Sequence, residues 1–122
     1  LEHAAPNAAL RKTLGERLPT GVCVLDTLLP ICRGQRVGLF AGSGVGKSSL
    51  LGEIACGVEC DVAVVAMIGE RGREVRGFIE ETLGPEGMKK TVIVASTADQ
   101  SPLAKKRGAH LAMATAEYFR NK

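Results

Sequence analysis

Eight residues, Ala41-Gly42-Ser43-Gly44-Val45-Gly46-Lys47-Ser48, set three glycines at alternate positions ahead of a lysine and a hydroxyl. The run fits G-x-x-x-x-G-K-[ST] everywhere except its first position, where Ala41 stands in place of glycine. This spacing suits one chemistry. Successive backbone N–H groups can curl into an anion nest at a helix N-terminus, where the helix dipole adds positive potential. Gly42, Gly44 and Gly46 allow the necessary torsions and keep side chains away from a bound phosphate. The residues expected to cradle phosphate are therefore Gly42, Ser43, Gly44, Val45, Gly46, Lys47, Ser48 and Ser49. Lys47 is expected to reach β- and γ-phosphates as a point charge, and the Ser48 hydroxyl to ligate Mg²⁺. A glycine-rich turn that binds nothing is the competing explanation. The strand–loop–helix pattern of the flanks argues against it.

Hydrolysis of a nucleoside triphosphate also needs carboxylates, to hold the metal and to orient the attacking water. Two acids follow apolar β-branched runs: Glu70 after Val62–Ile68, and Asp99 after Thr91–Ser96. Ligands of an open parallel sheet sit beyond the carboxyl ends of its strands, so both are placed to take part. Glu70 could equally be a solvated loop acid paired with Arg71 or Arg73. Asp99 fits better as the start of a turn. Arg71, Arg73 and Arg76 form a basic cluster, and Arg73 and Arg76 read as a solvated helix face among Glu74 and Glu80. Lys105-Lys106-Arg107 reads the same way, with two of the three directed outward. Cys56 and Cys60 have half the spacing of a zinc site, but Cys23, Cys32, His3 and His110 supply no second half. The four thiols are expected to be reduced, packed as small buried hydrophobes.

The elements that must position these groups alternate in character. Residues 1–21 are Ala-rich, contain Pro6 and Pro19, and read as a lead-in or linker. Leu1-Glu2-His3 is given no function. Val24–Leu29 is a short apolar segment closed by Pro30, and Arg33-Gly34-Gln35 is a tight turn. Arg36–Phe40 is expected to be a strand, followed by the glycine loop and a helix over Lys47–Gly57. Val62–Ile68 is expected to be a doubly covered strand. Arg73–Leu83 is expected to be a helix stopped by Gly84-Pro85. Thr91–Ser96 makes a third strand. Ser101-Pro102 opens a last helix, with Leu103, Arg107, Leu111, Ala114 and Tyr118 on one side. The order β-α-β-α-β-α, with long crossovers, predicts an α/β fold on a parallel sheet.

Composition narrows the partners. The 122 residues are 45% hydrophobic and 24% charged, which is globular rather than disordered. The longest apolar run, Val62–Ile68, has seven residues, where a membrane-spanning helix needs about 20. No secretory signal pattern opens the chain. A net charge of +3 with scattered Lys and Arg, and an aromatic content of 3%, give no support to a nucleic-acid partner.

Read together, Ala41–Ser48 and Ile68-Gly69-Glu70-Arg71-Gly72-Arg73-Glu74-Val75 resemble the flagellar and type III protein-export ATPases, relatives of the catalytic subunit of rotary ATP synthases. Thr20-Gly21-Val22, Leu25-Asp26-Thr27-Leu28-Leu29, Arg33-Gly34-Gln35-Arg36 and Ala116-Glu117-Tyr118-Phe119-Arg120 fit the same family. The resemblance runs from about Leu18 to Arg120. It implies a P-loop, RecA-like core that hydrolyses ATP with Mg²⁺ in a ring of six. Such a ring works at the cytoplasmic face of the membrane, with export-apparatus proteins, export substrates and their chaperones as partners. It also implies that Glu70 polarises the attacking water and that Arg71 contacts or positions the γ-phosphate. Residues 22–122 then correspond to the N-terminal half of the core. The later strand bearing a metal-holding Asp, the adenine pocket and a neighbour's arginine are not encoded in them, so the chain alone is expected to be inactive. A rotary ATP synthase or helicase subunit and a non-catalytic nucleotide-binding module are the alternatives. The Gly72-Arg73-Glu74-Val75 continuation speaks against the first of these.

Overall fold

Two of the β-branched runs become strands in the computed structural model, which describes residues 7–42 and 44–122. β1 (Ala63–Ile68) and β2 (Thr91–Ser96) pair in parallel, in register from Ala63 opposite Thr91 to Ile68 opposite Ser96. The ladder continues past both ends. Ala63 N–H donates to the Lys90 carbonyl at 2.8 Å, and Gly69 N–H to the Ser96 carbonyl at 2.7 Å. Both strands belong to a compact unit from Cys60 to Lys122, and a second unit runs up to Glu59.

Within the Cys60–Lys122 unit, the crossover between the strands is helical in three pieces. α3 (Gly72–Gly77) runs into a π-helical turn over Phe78–Leu83, and a short further helix spans Gly84–Met88. Val75, Phe78 and Leu83 are buried and form the apolar side of this segment. As the sequence predicts, the helix stops at Leu83, and a new short helix begins with the Gly84-Pro85 pair. Gly84 takes φ 59°, a torsion that favours glycine. Pro85 then falls in the first turn of the next helix, where its missing N–H costs nothing.

The last helix, α4 (Pro102–Arg120), starts as the sequence predicts, with Ser101 Oγ accepting from Ala104 N–H at 3.2 Å. Its packed face is not the predicted one. Leu103, Arg107, Leu111 and Tyr118 are exposed, whereas Ala112 is buried. The helix lies on both strands through small residues: a Cβ built on Gly108 would stand 3.0 Å from Ile68 Cδ1 and 3.3 Å from Ser96 Cβ. A helix that comes this close must turn its small side chains inward, which leaves the leucines outside.

In the unit that runs to Glu59, Cys23–Leu28 forms α1, a helix where the sequence suggested only an apolar segment. The turn at Arg33–Gly34 forms as predicted, closed by Gln35 N–H on the Cys32 carbonyl at 3.0 Å. α2 spans Lys47–Gly57, matching the expected bounds. The strand predicted over Arg36–Phe40 is absent. An extended segment becomes a strand only when a neighbour completes its hydrogen-bond ladder, and no described residue of this unit does so. Val37 and Phe40 stand exposed. The thiols also depart from expectation: Cys23, Cys56 and Cys60 are exposed and Cys32 is half-buried, all unbonded to one another. The buried stripe of α2 consists of Gly52 and Ala55, and it leaves Cys56 outside.

Candidate functional site

The glycine loop enters α2 through two left-handed residues, Gly44 at φ 76° and Gly46 at φ 95°. Gly46 is the N-cap, and no side chain caps the helix. The first bond into α2 is Leu50 N–H to the Gly46 carbonyl at 3.0 Å. Among the described residues, nothing accepts from the N–H groups of Lys47, Ser48 or Ser49, so these donors remain available. A Cβ at Gly42, Gly44 or Gly46 would meet no atom within 4 Å, so the concavity is open. The first turn of α2 holds no acidic residue to offset the positive end of its dipole. Lys47 makes no ion pair or hydrogen bond with any described residue. Val45, Ser48 and Ser49 are exposed on the same turn, and Ser43 lies outside the described residues.

This donor set fits an anion carrying several oxygens. Among the described residues no three His, Cys, Asp or Glu side chains gather as a metal cage. The Ser48 hydroxyl remains as a single hard oxygen, which suits Mg²⁺ bound chiefly through phosphate and water.

The other end of α2 is seated by a feature that the sequence reading overlooked. Asp26 Oδ1 accepts from Thr20 N–H at 2.8 Å and from the Thr20 hydroxyl at 2.9 Å, while Oδ2 accepts from Gly21 N–H at 3.0 Å. Arg17 donates to the Asp26 backbone carbonyl. These bonds hold the Asp26 carboxyl below its ordinary range, the Thr20 N–H most strongly, then the Thr20 hydroxyl, Gly21 and the Arg17 charge. Thr20 is 1% exposed. Its carbonyl oxygen lies only 2.2 Å from where a Gly57 Cβ would stand, so the last residue of α2 rests directly on this turn. The available signal was Thr20-Gly21 followed by a short-range acid, the pattern of a side-chain-capped turn.

In the Cys60–Lys122 unit, Glu70 follows β1 after Gly69, which takes φ 82°. The Glu70 side chain is half-buried and pairs with no described residue. The pairing with Arg71 or Arg73 that would have made it a simple surface acid does not form. Arg71 lies 3.7 Å from Glu74 instead, and Arg76 bonds Glu80 at 2.8 Å. Asp99 sits in the turn after β2, as expected, its carboxyl lowered chiefly by the Thr97 hydroxyl and also by the Lys105 charge. Lys106 and Arg107 are exposed, whereas Lys105 Nζ donates to the Ala98 carbonyl at 2.7 Å.

The sequence profile of the ATP synthase alpha/beta family, nucleotide-binding domain, matches residues 21–122. The chain is 55% identical over 118 residues to the flagellum-specific ATP synthase of Treponema pallidum, covering 97% of this chain and 26% of that protein. Among solved structures, it is 44% identical to a prototypical ATPase from the type III secretion system of pathogenic bacteria. That likeness covers 96% of this chain and 34% of the other, with a TM-score of 0.89. It is 46% identical to the assembled ATPase EscN, solved in complex with its central stalk EscO from enteropathogenic E. coli. There the coverage is 94% and 28%, with a TM-score of 0.85. The chain spans about a quarter of the length of the curated relatives it matches.

Proposed function

The chain belongs to the ATP synthase alpha/beta family, and on that premise we propose that it is the phosphate-gripping part of a flagellar or type III protein-export ATPase. One observation carries the reading: the open, uncapped, glycine-lined N-terminus of α2 beside the unpaired Lys47. Gly42 through Ser49 would hold the ATP phosphates by their backbone N–H groups, with Lys47 adding charge at the β- and γ-oxygens. Ser48 would hold Mg²⁺, which supplies neutralisation of the phosphate charge when bound. Glu70, free of partners at the end of β1, would orient and polarise the attacking water, and Arg71 would stand near the γ-phosphate.

The proposal extends to the whole protein. Residues 22–122 form the N-terminal half of a RecA-like core and residues 1–21 its lead-in, in keeping with the share of the relatives' length that the chain covers. A ring of six is supported by the likeness to an ATPase solved in its assembled state with a central stalk. Export-apparatus proteins, export substrates and chaperones are the further partners, and nucleic acid is not among them. The ring would sit at the cytoplasmic face of the membrane as a peripheral component. No helix among the described residues is long and apolar enough to cross a membrane.

Phosphate release by the full-length protein carrying these residues tests the proposal. Steady, Mg²⁺-dependent ATP turnover that DNA and RNA leave unchanged is the expected result. Nucleotide binding without turnover would replace it with a non-catalytic module. Stimulation by nucleic acid would point instead to a helicase-like motor.

A further inference from the structure

Beyond the carboxyl ends of β1 and β2, two hydrogen bonds stitch the following segments together and a third ties one of them to α4. Gly69 N–H donates to the Ser96 carbonyl at 2.7 Å, and Ala98 N–H donates to the Glu70 carbonyl at 2.9 Å. From the first turn of α4, Lys105 reaches back seven residues and its Nζ donates to the Ala98 carbonyl at 2.7 Å. The last two bonds flank a single Cα, that of Ala98. A helix side chain is thereby linked through one loop residue to the main chain of Glu70. The turn is closed further by Gln100 N–H on the Thr97 carbonyl at 3.0 Å.

The Glu70 carboxylate has no partner of its own among the described residues. Its place is therefore set by its backbone, and the backbone is held by Gly69 and by Ala98. Lys106 and Arg107, adjacent in sequence, make no comparable bond. That difference separates Lys105 from an ordinary solvated lysine.

We propose that Lys105 is a positioning residue for Glu70: it pins the carbonyl of Ala98, the residue whose N–H holds the Glu70 main chain, and so fixes where the carboxylate stands for water activation. The inference rests on the reading of Glu70 as the water-polarising carboxylate. Geometry of this kind matters to rate because a misplacement of about 1 Å can cost on the order of 10²-fold.

The test uses the full-length ATPase with Lys105→Met, Lys105→Arg, Glu70→Gln and the Lys105→Met/Glu70→Gln double variant. Lys105→Met should lower kcat about tenfold or more, with KM for ATP and affinity for ADP changed less than about twofold. Lys105→Arg, which keeps a charged donor on a long stem, should recover most of the rate. In the Glu70→Gln background, Lys105→Met should cost nothing further, because its effect runs through the missing carboxylate. An unchanged kcat for Lys105→Met overturns the proposal, as does a loss confined to ATP affinity. So does a loss that multiplies with that of Glu70→Gln. An unchanged kcat for Glu70→Gln alone identifies the failure as that of the Glu70 reading. Should Lys105→Met prove unfolded by thermal denaturation, Lys105→Gln, polar but too short to reach Ala98, carries the same measurements.

Discussion

Lys47 is the one cation on the glycine loop, and its side chain pairs with no described residue, which leaves it available to a ligand. Charge-assisted contacts of this kind contribute roughly 1.5–3 kcal/mol. Lys47→Ala in the full-length protein should therefore weaken ATP binding about tenfold or more and abolish most turnover. Fluorescent-nucleotide titration and phosphate release measure the two effects, and wild-type values in both would remove the phosphate role. Glu70→Gln should behave differently. The amide keeps the shape but cannot polarise water as a carboxylate does, so ATP should bind as before while hydrolysis falls to a small residual rate. If binding weakened while turnover per bound nucleotide held, Glu70 would have no part in water activation. These two residues were candidates in the sequence because of local patterns, Lys47 by the glycine motif and Glu70 by its place after an apolar β-branched run, a place that by itself left a solvated loop acid equally open. Asp26 and Lys105 were not. Their importance lies in which backbone atoms they meet, and a carboxylate six residues from Thr20 or a lysine seven residues from Ala98 looks like solvated charge until the chain is folded.

At the scale of elements, α2 is only as well placed as the turn on which it ends. A methyl group at Gly57 would collide with the Thr20 carbonyl, which is backbone and cannot swing aside. Gly57→Ala should destabilise by about 1–3 kcal/mol, as overpacking does. Gly77→Ala is its counterpart: the position is helical at φ −59° with open space around it, so stability should rise by about 0.4–1 kcal/mol. Thermal unfolding of both variants checks the pair, and equal effects would dismiss the Thr20 contact. The Asp26 latch carries a pH dependence. Its carboxyl is depressed in the folded chain, so its contribution is complete above the unfolded value and is lost as pH falls below about 4. Unfolding midpoints should drop across that acid range, and Asp26→Asn should flatten the drop; an unaltered slope would show the latch to be idle. Helix starts and β1 and β2 were readable because capping and β-branched runs are local signals. The Arg36–Phe40 strand and the buried side of α4 were not, since a ladder needs a neighbour and the small-residue face around Gly108 is defined by what it approaches.

For the molecule as a whole, the distribution of apolar surface leads to the last prediction. Phe40 is 94% exposed, and Leu28, Leu29 and Val37 are exposed in the same unit. In the Cys60–Lys122 unit, β1 and β2 each have one strand edge that no other described strand covers. Open strand edges and exposed large apolar side chains favour association. The glycine nest, by contrast, needs only residues 42–49 and the seating of α2, so it can form independently of further sheet. The 122 residues alone should thus self-associate, bind ATP weakly through the loop, and show no measurable hydrolysis. The expected inactivity follows from the resemblance: in export ATPases the metal-holding Asp, the adenine pocket and a neighbour's arginine come from segments outside these residues. Arginine supply alone contributes ~10³–10⁵ in rate in related phosphoryl transfers. Light scattering and a colorimetric phosphate assay on the purified chain give the two readouts. A monodisperse monomer would mean that the exposed side chains are covered in solution. Turnover that follows the chain through purification and vanishes with Lys47→Ala would place the whole catalytic apparatus within these residues, and the comparison with longer relatives would then have to be redrawn.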